Sequence, residues 1–288
     1  MSVVFLCVGA AKAGTSWLHR QLSAHPDCHF RAIKELHYFD AIDGGRLHKE
    51  LQKHRKWQEA ELEKVARSGL GPSASQAVKL ADRGAWLDVL ERQDEDLAAY
   101  LAYLQSGARD AKVVGEMTPA YALLSHARLE RMAHMAPDVR FLYLLRDPVE
   151  RLWSHVRMIA SRRDQTGQVR AESCAAILNR TVGGDETEIV KRSDYVGALR
   201  RLTAAVPATR LLIEVFEDVV RRDGLHRICD FLGIGRIAAD PSPVHAGRTL
   251  AMTDPQRKLA TRWLAPQYAA AEAALGRRPD GWSQGGWT

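Results

Sequence analysis

Val8-Gly9-Ala10-Ala11-Lys12-Ala13-Gly14-Thr15-Ser16-Trp17-Leu18 is the stretch on which the fold turns. It follows the apolar run Val3-Val4-Phe5-Leu6-Cys7 and opens a segment, residues 15–24, in which Trp17, Leu18, Gln21 and Leu22 recur at helical spacing. A strand, a glycine loop and a helix in that order aim backbone N–H groups at one point, where the helix dipole adds partial positive charge. The junction therefore reads as an anion cradle. Ala10, Ala11 and Ala13 leave room for close approach, Lys12 can reach a bound group, and Thr15 and Ser16 can donate hydroxyl hydrogen bonds. A plain strand-to-helix turn with a chance lysine is the blander alternative. It does not account for the glycine, the lysine, both hydroxyls and the amphipathic helix together.

Working outward, further strand-like runs fall at residues 112–115, 140–145 and 211–216, each short and rich in Val, Ile, Leu or aromatics. Such runs suit strands buried on both faces. Helical patterns lie between them: residues 149–161 after Pro148, 194–205 capped by Ser193, 223–232 stopped by Gly233, and one long last helix over 254–275. Alternating strands and helices predict a P-loop-like, three-layer α/β/α fold with a central parallel sheet. About residues 44–110 are rich in charge and helix formers with weak strand signals, and are expected to be a helical insertion within one domain spanning residues 1–288.

Composition narrows the function classes. With 46% hydrophobic and 26% charged residues the chain can bury one large α/β core. No run approaches the ~20 apolar residues of a membrane helix. The apolar start leads straight into the glycine loop and reads as a strand rather than a signal peptide, so a cytoplasmic protein is the expectation. The 4 cysteines and 11 histidines show no metal-ligand spacing, and no metal is expected. A net charge of +6 suits an anionic ligand. A nucleic-acid module would add basic runs interleaved with aromatics, which are missing.

The loop is not a Walker loop, in which the lysine directly follows the second glycine. Here Lys12 precedes Gly14, and no compact Walker-B partner is evident. The order G-x-x-K-x-G-T-[ST]-x-L resembles instead the 5′-phosphosulfate loop of sulfotransferases that use 3′-phosphoadenosine 5′-phosphosulfate (PAPS). The resemblance implies that Lys12, Ala13, Gly14, Thr15, Ser16 and Trp17 hold this co-substrate. A second run, Arg146-Asp147-Pro148-Val149-Glu150-Arg151-Leu152-Trp153-Ser154, resembles the family's 3′-phosphate motif, which assigns Arg146 and Ser154 to that phosphate. Arg151 and Arg157 are expected at the surface or in ion pairs. Tyr195 and Arg248, the latter in His245-Ala246-Gly247-Arg248, sit where relatives contact the nucleotide.

A third run, Lys34-Glu35-Leu36-His37-Tyr38-Phe39-Asp40, resembles the acceptor-side segment of glycosaminoglycan sulfotransferases. It implies Glu35 as general base and His37 as a neighbour that orients substrate or shares the proton. In small-molecule members a histidine is the base, which leaves the exchange of these roles between Glu35 and His37 as an alternative. Gly115-Glu116-Met117-Thr118-Pro119-Ala120-Tyr121 resembles the family's E-K-[ST]-P-A-Y segment, but Met117 stands where several carbohydrate sulfotransferases carry lysine. The activity implied is sulfuryl transfer from PAPS to a hydroxyl or amine of a small-molecule or carbohydrate acceptor. A P-loop kinase using ATP and magnesium, and a non-catalytic nucleotide or anion binder, are the alternatives.

Overall fold

The computed structural model describes residues 2–240, 242 and 250–282. Its sheet grows around β1, Val3–Gly9, whose residues from Val4 onward are all buried. The other strands are β2 (Cys28–Phe30), β3 (Val113–Met117), β4 (Val139–Leu145) and β5 (Leu211–Val215). Their order is β2-β3-β1-β4-β5, and every pairing is parallel. With helices flanking this sheet the expected α/β class stands.

The strand order places a topological switch beside β1. From β1 the chain moves outward to β2 and returns through β3, then crosses to β4 on the other side. Loops leaving β1 and β4 therefore diverge, and a crevice opens at their carboxyl ends, where open α/β sheets bind ligands. The helix Thr15–Ser23 leaves β1 there, and the helix Pro148–Arg163 leaves β4. Asp147 caps the latter by accepting from the Val149 and Glu150 N–H groups at 2.9 and 3.0 Å, with Pro148 in its first turn.

The structure adds one strand to those expected and corrects two local expectations. β2 carried no apolar signal, because a three-residue edge strand with a histidine in its middle is set by pairing with β3, not by its own pattern. Ser193 is not a cap: it ends the helix Thr187–Ser193 and donates to Ile189 O, while Asp194 accepts from Gly197 N–H to start Tyr195–Ala205. The long last helix is two, Asp254–Trp263 and Ala265–Leu275. Pro266 supplies the break, since its ring and missing N–H interrupt a continuous helix but fit a first turn.

Between β2 and β3 run the helices Tyr38–Asp43, Leu47–Ser68, Ala74–Leu90 and Leu97–Gln105. Ser73 and Gln76 form a capping box that starts the third of them. An aromatic cluster binds this layer to the rest of the core. Trp86 is fully buried with ring centroids 5.8 Å from Tyr38 and 4.8 Å from Tyr103, and Tyr38 stacks on Tyr100 at 4.9 Å.

Candidate functional site

The cradle loop is tied to β4 where Ala10 N–H donates to Leu144 O at 2.7 Å, and it tightens on itself where Ala13 N–H donates to Ala10 O at 3.1 Å. Gly14 opens the following helix at φ 88°, in the left-handed region. Only glycine fits: a Cβ there would stand 2.1 Å from the Phe216 ring. No side chain caps this helix, so its first amides are left for water or a ligand. Thr15 is buried, Ser16 is half-buried, and Trp17 donates its indole N–H to Asp240 O at 2.8 Å.

Cations crowd the crevice. Lys12 Nζ lies 3.7 Å from Met158 Sδ, and Arg146 donates to Lys12 O at 3.3 Å while its guanidinium stands 5.8 Å from the Phe216 ring centre. The Lys12 ammonium is pushed below its ordinary pKa, by burial first and then by the charges of Arg162 and Arg146. Such a gathering of like charges is relieved by an anion in its midst. Tyr195 is fully buried and spends its hydroxyl on the Arg146 backbone, donating to the carbonyl at 2.9 Å and accepting from the N–H at 3.3 Å. Ser154 sits half-buried on the helix that Arg146 precedes.

Arg151 overturns its expectation of surface exposure. It is 0% exposed, reaches Ala11 O at 3.4 Å and donates to Ser193 Oγ. Among the described residues no carboxylate pairs with it. The face of Pro148–Arg163 bearing Leu152, His155 and Val156 packs inward, and Arg151 shares it, so a guanidinium ends up directly under the cradle loop. Arg248 lies outside the described residues.

The carboxylate side adjoins the cradle through one lysine. Lys34 Nζ donates to Ser16 Oγ and to Glu35 Oε1, both at 2.9 Å. Glu35 Oε2 is 3.7 Å from His37 Nε2, and His37 Nδ1 is 3.0 Å from Asp40 Oδ2. Burial raises the Glu35 pKa, but His37 and Lys34 outweigh it and leave the carboxyl at about 2. Burial lowers His37, yet Asp40 and Glu35 carry it up to about 9. At neutral pH His37 is therefore an imidazolium, its Nδ1 hydrogen-bonded to Asp40 and its Nε2 in ionic contact with Glu35.

Glu116 and its neighbours are buried beneath this run. Thr118, Tyr100 and Tyr121 donate to the Glu116 carboxylate at 2.5, 2.6 and 2.8 Å. Met117 is fully buried at the end of β3, so an apolar side chain there fills core. Sequence reasoning missed the bridging role of Lys34, the burial of Arg151, and Asp82, which accepts from Ile33 N–H at 2.8 Å. The last had no signal, being 49 residues from its partner.

Among the described residues, no group of three or more His, Cys, Asp or Glu could hold a metal ion. Nor, among the described residues, is any helix long and apolar enough to cross a membrane. A comparison with curated proteins returned no match. Among solved structures, a sulfotransferase from Alicyclobacillus acidocaldarius superposes with a TM-score of 0.63 at 24% identity, covering 98% of this chain and 99% of that one. The sulfotransferase domain of the Synechococcus PCC 7002 olefin synthase superposes at 0.54 with 21% identity, covering 97% and 96%. That of the curacin biosynthetic pathway gives 0.54 and 18%, covering 96% and 98%. Likeness at these identities carries the fold alone. The sulfotransferase family model, however, matches residues 5–237, a span holding the cradle, the Glu35 run and the Arg146 run. On that match, the chain belongs to the sulfotransferase family.

Proposed function

We propose that this sulfotransferase moves the sulfuryl group of PAPS to a hydroxyl or amine of a small-molecule or carbohydrate acceptor, with Glu35 as the base. The observation that carries the proposal is the Lys34 bridge: one ammonium joins Ser16 of the cradle to the Glu35 carboxylate at 2.9 Å each. A nucleophile activated by Glu35 would thus meet a group held in the cradle. The amides of Gly14, Thr15 and Ser16, with the Thr15 and Ser16 hydroxyls and Lys12, take the 5′-phosphosulfate, and Ala13 and Trp17 are assigned to the same site by resemblance. Arg146 and Ser154 take the 3′-phosphate, Tyr195 holds the Arg146 peptide, and Arg248 is assigned to the nucleotide by resemblance.

The step is an in-line displacement. The acceptor oxygen or nitrogen bonds to sulfur while sulfur parts from the oxygen bridging it to the 5′-phosphate, and that oxygen keeps the electron pair. Lys12 neutralises the charge developing there, a preorganised electrostatic contribution. The acceptor's proton passes to Glu35, and adenosine 3′,5′-bisphosphate leaves. A carboxylate held near 2 is a weak base, but it is fully ionised, and the acceptor proton grows acidic as its atom bonds to sulfur. The opposite assignment, His37 as base, is disfavoured because Asp40 and Glu35 keep that ring protonated up to about 9.

Calorimetry with adenosine 3′,5′-bisphosphate tests the donor site, with ATP–magnesium for comparison. Binding that Arg146→Ala weakens sharply is expected; a preference for ATP–magnesium would replace this proposal with the kinase. Glu35→Gln should then lose about 10²–10⁴-fold in kcat while binding the bisphosphate as the parent does.

A further inference from the structure

Glu35 lies in a segment with no ladder or helix to hold it. Residues 31–37 form neither strand nor helix, and both Glu35 (φ 60°) and His37 (φ 54°) adopt left-handed backbone. That conformation costs an L-residue roughly 1–2 kcal/mol, so something must over-determine it. Two buried carboxylates grip the chain on either side of Glu35. Asp82, 4% exposed, accepts from Ile33 N–H at 2.8 Å; Glu116, 3% exposed, accepts from Leu36 N–H at 3.2 Å. Tyr121 continues the grip by accepting from Tyr38 N–H at 3.0 Å, and the Tyr38 hydroxyl accepts from Asp96 N–H at 2.7 Å.

These grips come from different parts of the fold. Glu116 lies in β3, one residue before its end, and belongs to the sheet, whereas Asp82 sits on Ala74–Leu90. Asp82 is itself fixed by Arg31 at 2.6 Å and by the Tyr103 hydroxyl at 3.1 Å, with the Arg31 guanidinium 4.6 Å from the Tyr103 ring centre. Burying a carboxylate is costly unless its bonds are made, and a fully bonded one is rigid. A hydrophobic residue at position 82 would fill the same space without reaching the Ile33 amide. Beyond the bonds that fix it in place, each carboxylate accepts from a backbone N–H within two residues of Glu35.

We infer that Asp82 is a positioning residue for the reaction: with Glu116 it fixes the backbone around Glu35, so the helices between β2 and β3 set the reach of the base. The inference rests on Glu35 being the base of a PAPS-dependent transfer. It gives those helices a task beyond packing, since they supply one of two anchors for the carboxylate while the cradle is built wholly by other elements.

The experiment compares Asp82→Ala, Asp82→Asn and Tyr103→Phe with the parent in three measurements: kcat with PAPS, bisphosphate affinity by calorimetry, and the NMR titration of His37. Misplacing a catalytic group by about 1 Å costs on the order of 10²-fold, so Asp82→Ala should lose about 10- to 100-fold in kcat with bisphosphate affinity nearly unchanged. Asp82→Asn retains an acceptor for Ile33 and should recover most of that loss. The His37 midpoint should fall from about 9 toward its ordinary 6.5 in Asp82→Ala as the Glu35 contact loosens. Unchanged kcat and an unmoved His37 midpoint would overturn the inference, as would a loss of bisphosphate affinity equal to the loss in kcat. Should Asp82→Ala fail to fold, Tyr103→Phe removes one bond to Asp82 and is expected to lower kcat several-fold; no change would count against the inference. If the parent itself fails to bind bisphosphate, the donor proposal falls, and the His37 midpoint still decides on the clamp.

Discussion

Gly14→Ala probes the coupling between the two halves of the proposed donor site. The added methyl would stand 2.1 Å from the Phe216 ring, where ordinary contact begins near 3.4 Å, so the ring must retreat by more than an ångström. Overpacking of this kind costs about 1–3 kcal/mol. The φ of 88° adds roughly 1–2 kcal/mol for a residue with a Cβ. The total is about 2–5 kcal/mol, read as a fall in the urea midpoint at constant slope. Phe216 also lies under Arg146, which bonds Lys12 O, so moving the ring should weaken bisphosphate binding by about tenfold or more. The Phe216→Ala background separates the causes. There Gly14→Ala should cost only the backbone share, about 1–2 kcal/mol, giving a coupling of the remaining 1–3 kcal/mol. Equal costs in both backgrounds, or undisturbed bisphosphate binding in Gly14→Ala, would refute the reasoning.

Two more outcomes follow from the site's electrostatics. The His37 ring should titrate near 9, and Asp40→Asn should draw its midpoint toward 6.5; because the folded value is raised, the stabilisation is complete below 6.5 and is lost as pH rises through 9. Arg151→Met should leave urea stability within ~1 kcal/mol, since no carboxylate among the described residues is orphaned, while lowering bisphosphate affinity about tenfold through loss of the bond to Ala11 and of the buried charge under the cradle. A stability loss of the 3–5 kcal/mol typical of a broken buried pair would show that Arg151 is a structural cation instead.

Local patterning was enough for the sheet's interior and for the turn that starts the site. β1, β3 and β4 are short apolar runs because each is buried on both faces, and β5, half-buried over its first three residues at the sheet edge, is still apolar enough for its composition to announce it. The glycine, lysine and hydroxyls between Val8 and Leu18 lie in one strand-to-helix junction, and their relation survives without tertiary context. Even nearby choices escaped where two residues offered the same chemistry: Ser193 and Asp194 are both capping types, and only backbone geometry selects the aspartate. β2 escaped because edge pairing, not hydrophobicity, makes it a strand.

The arrangement around Glu35 depended on the folded chain. Lys34 meets Ser16 only because β1 and β2 are held apart by β3 and the segment after β2 turns back over the cradle. Asp82 in sequence is one acid in a charged helix, and Arg151 one arginine among many. What distinguishes them is burial and the backbone group each meets, Ile33 N–H in one case and Ala11 O in the other. Periodicity and motif spacing report which way a residue faces within its own element. The partner it meets across the molecule is set by strand order and helix packing, which arise only when distant segments bury their apolar faces together.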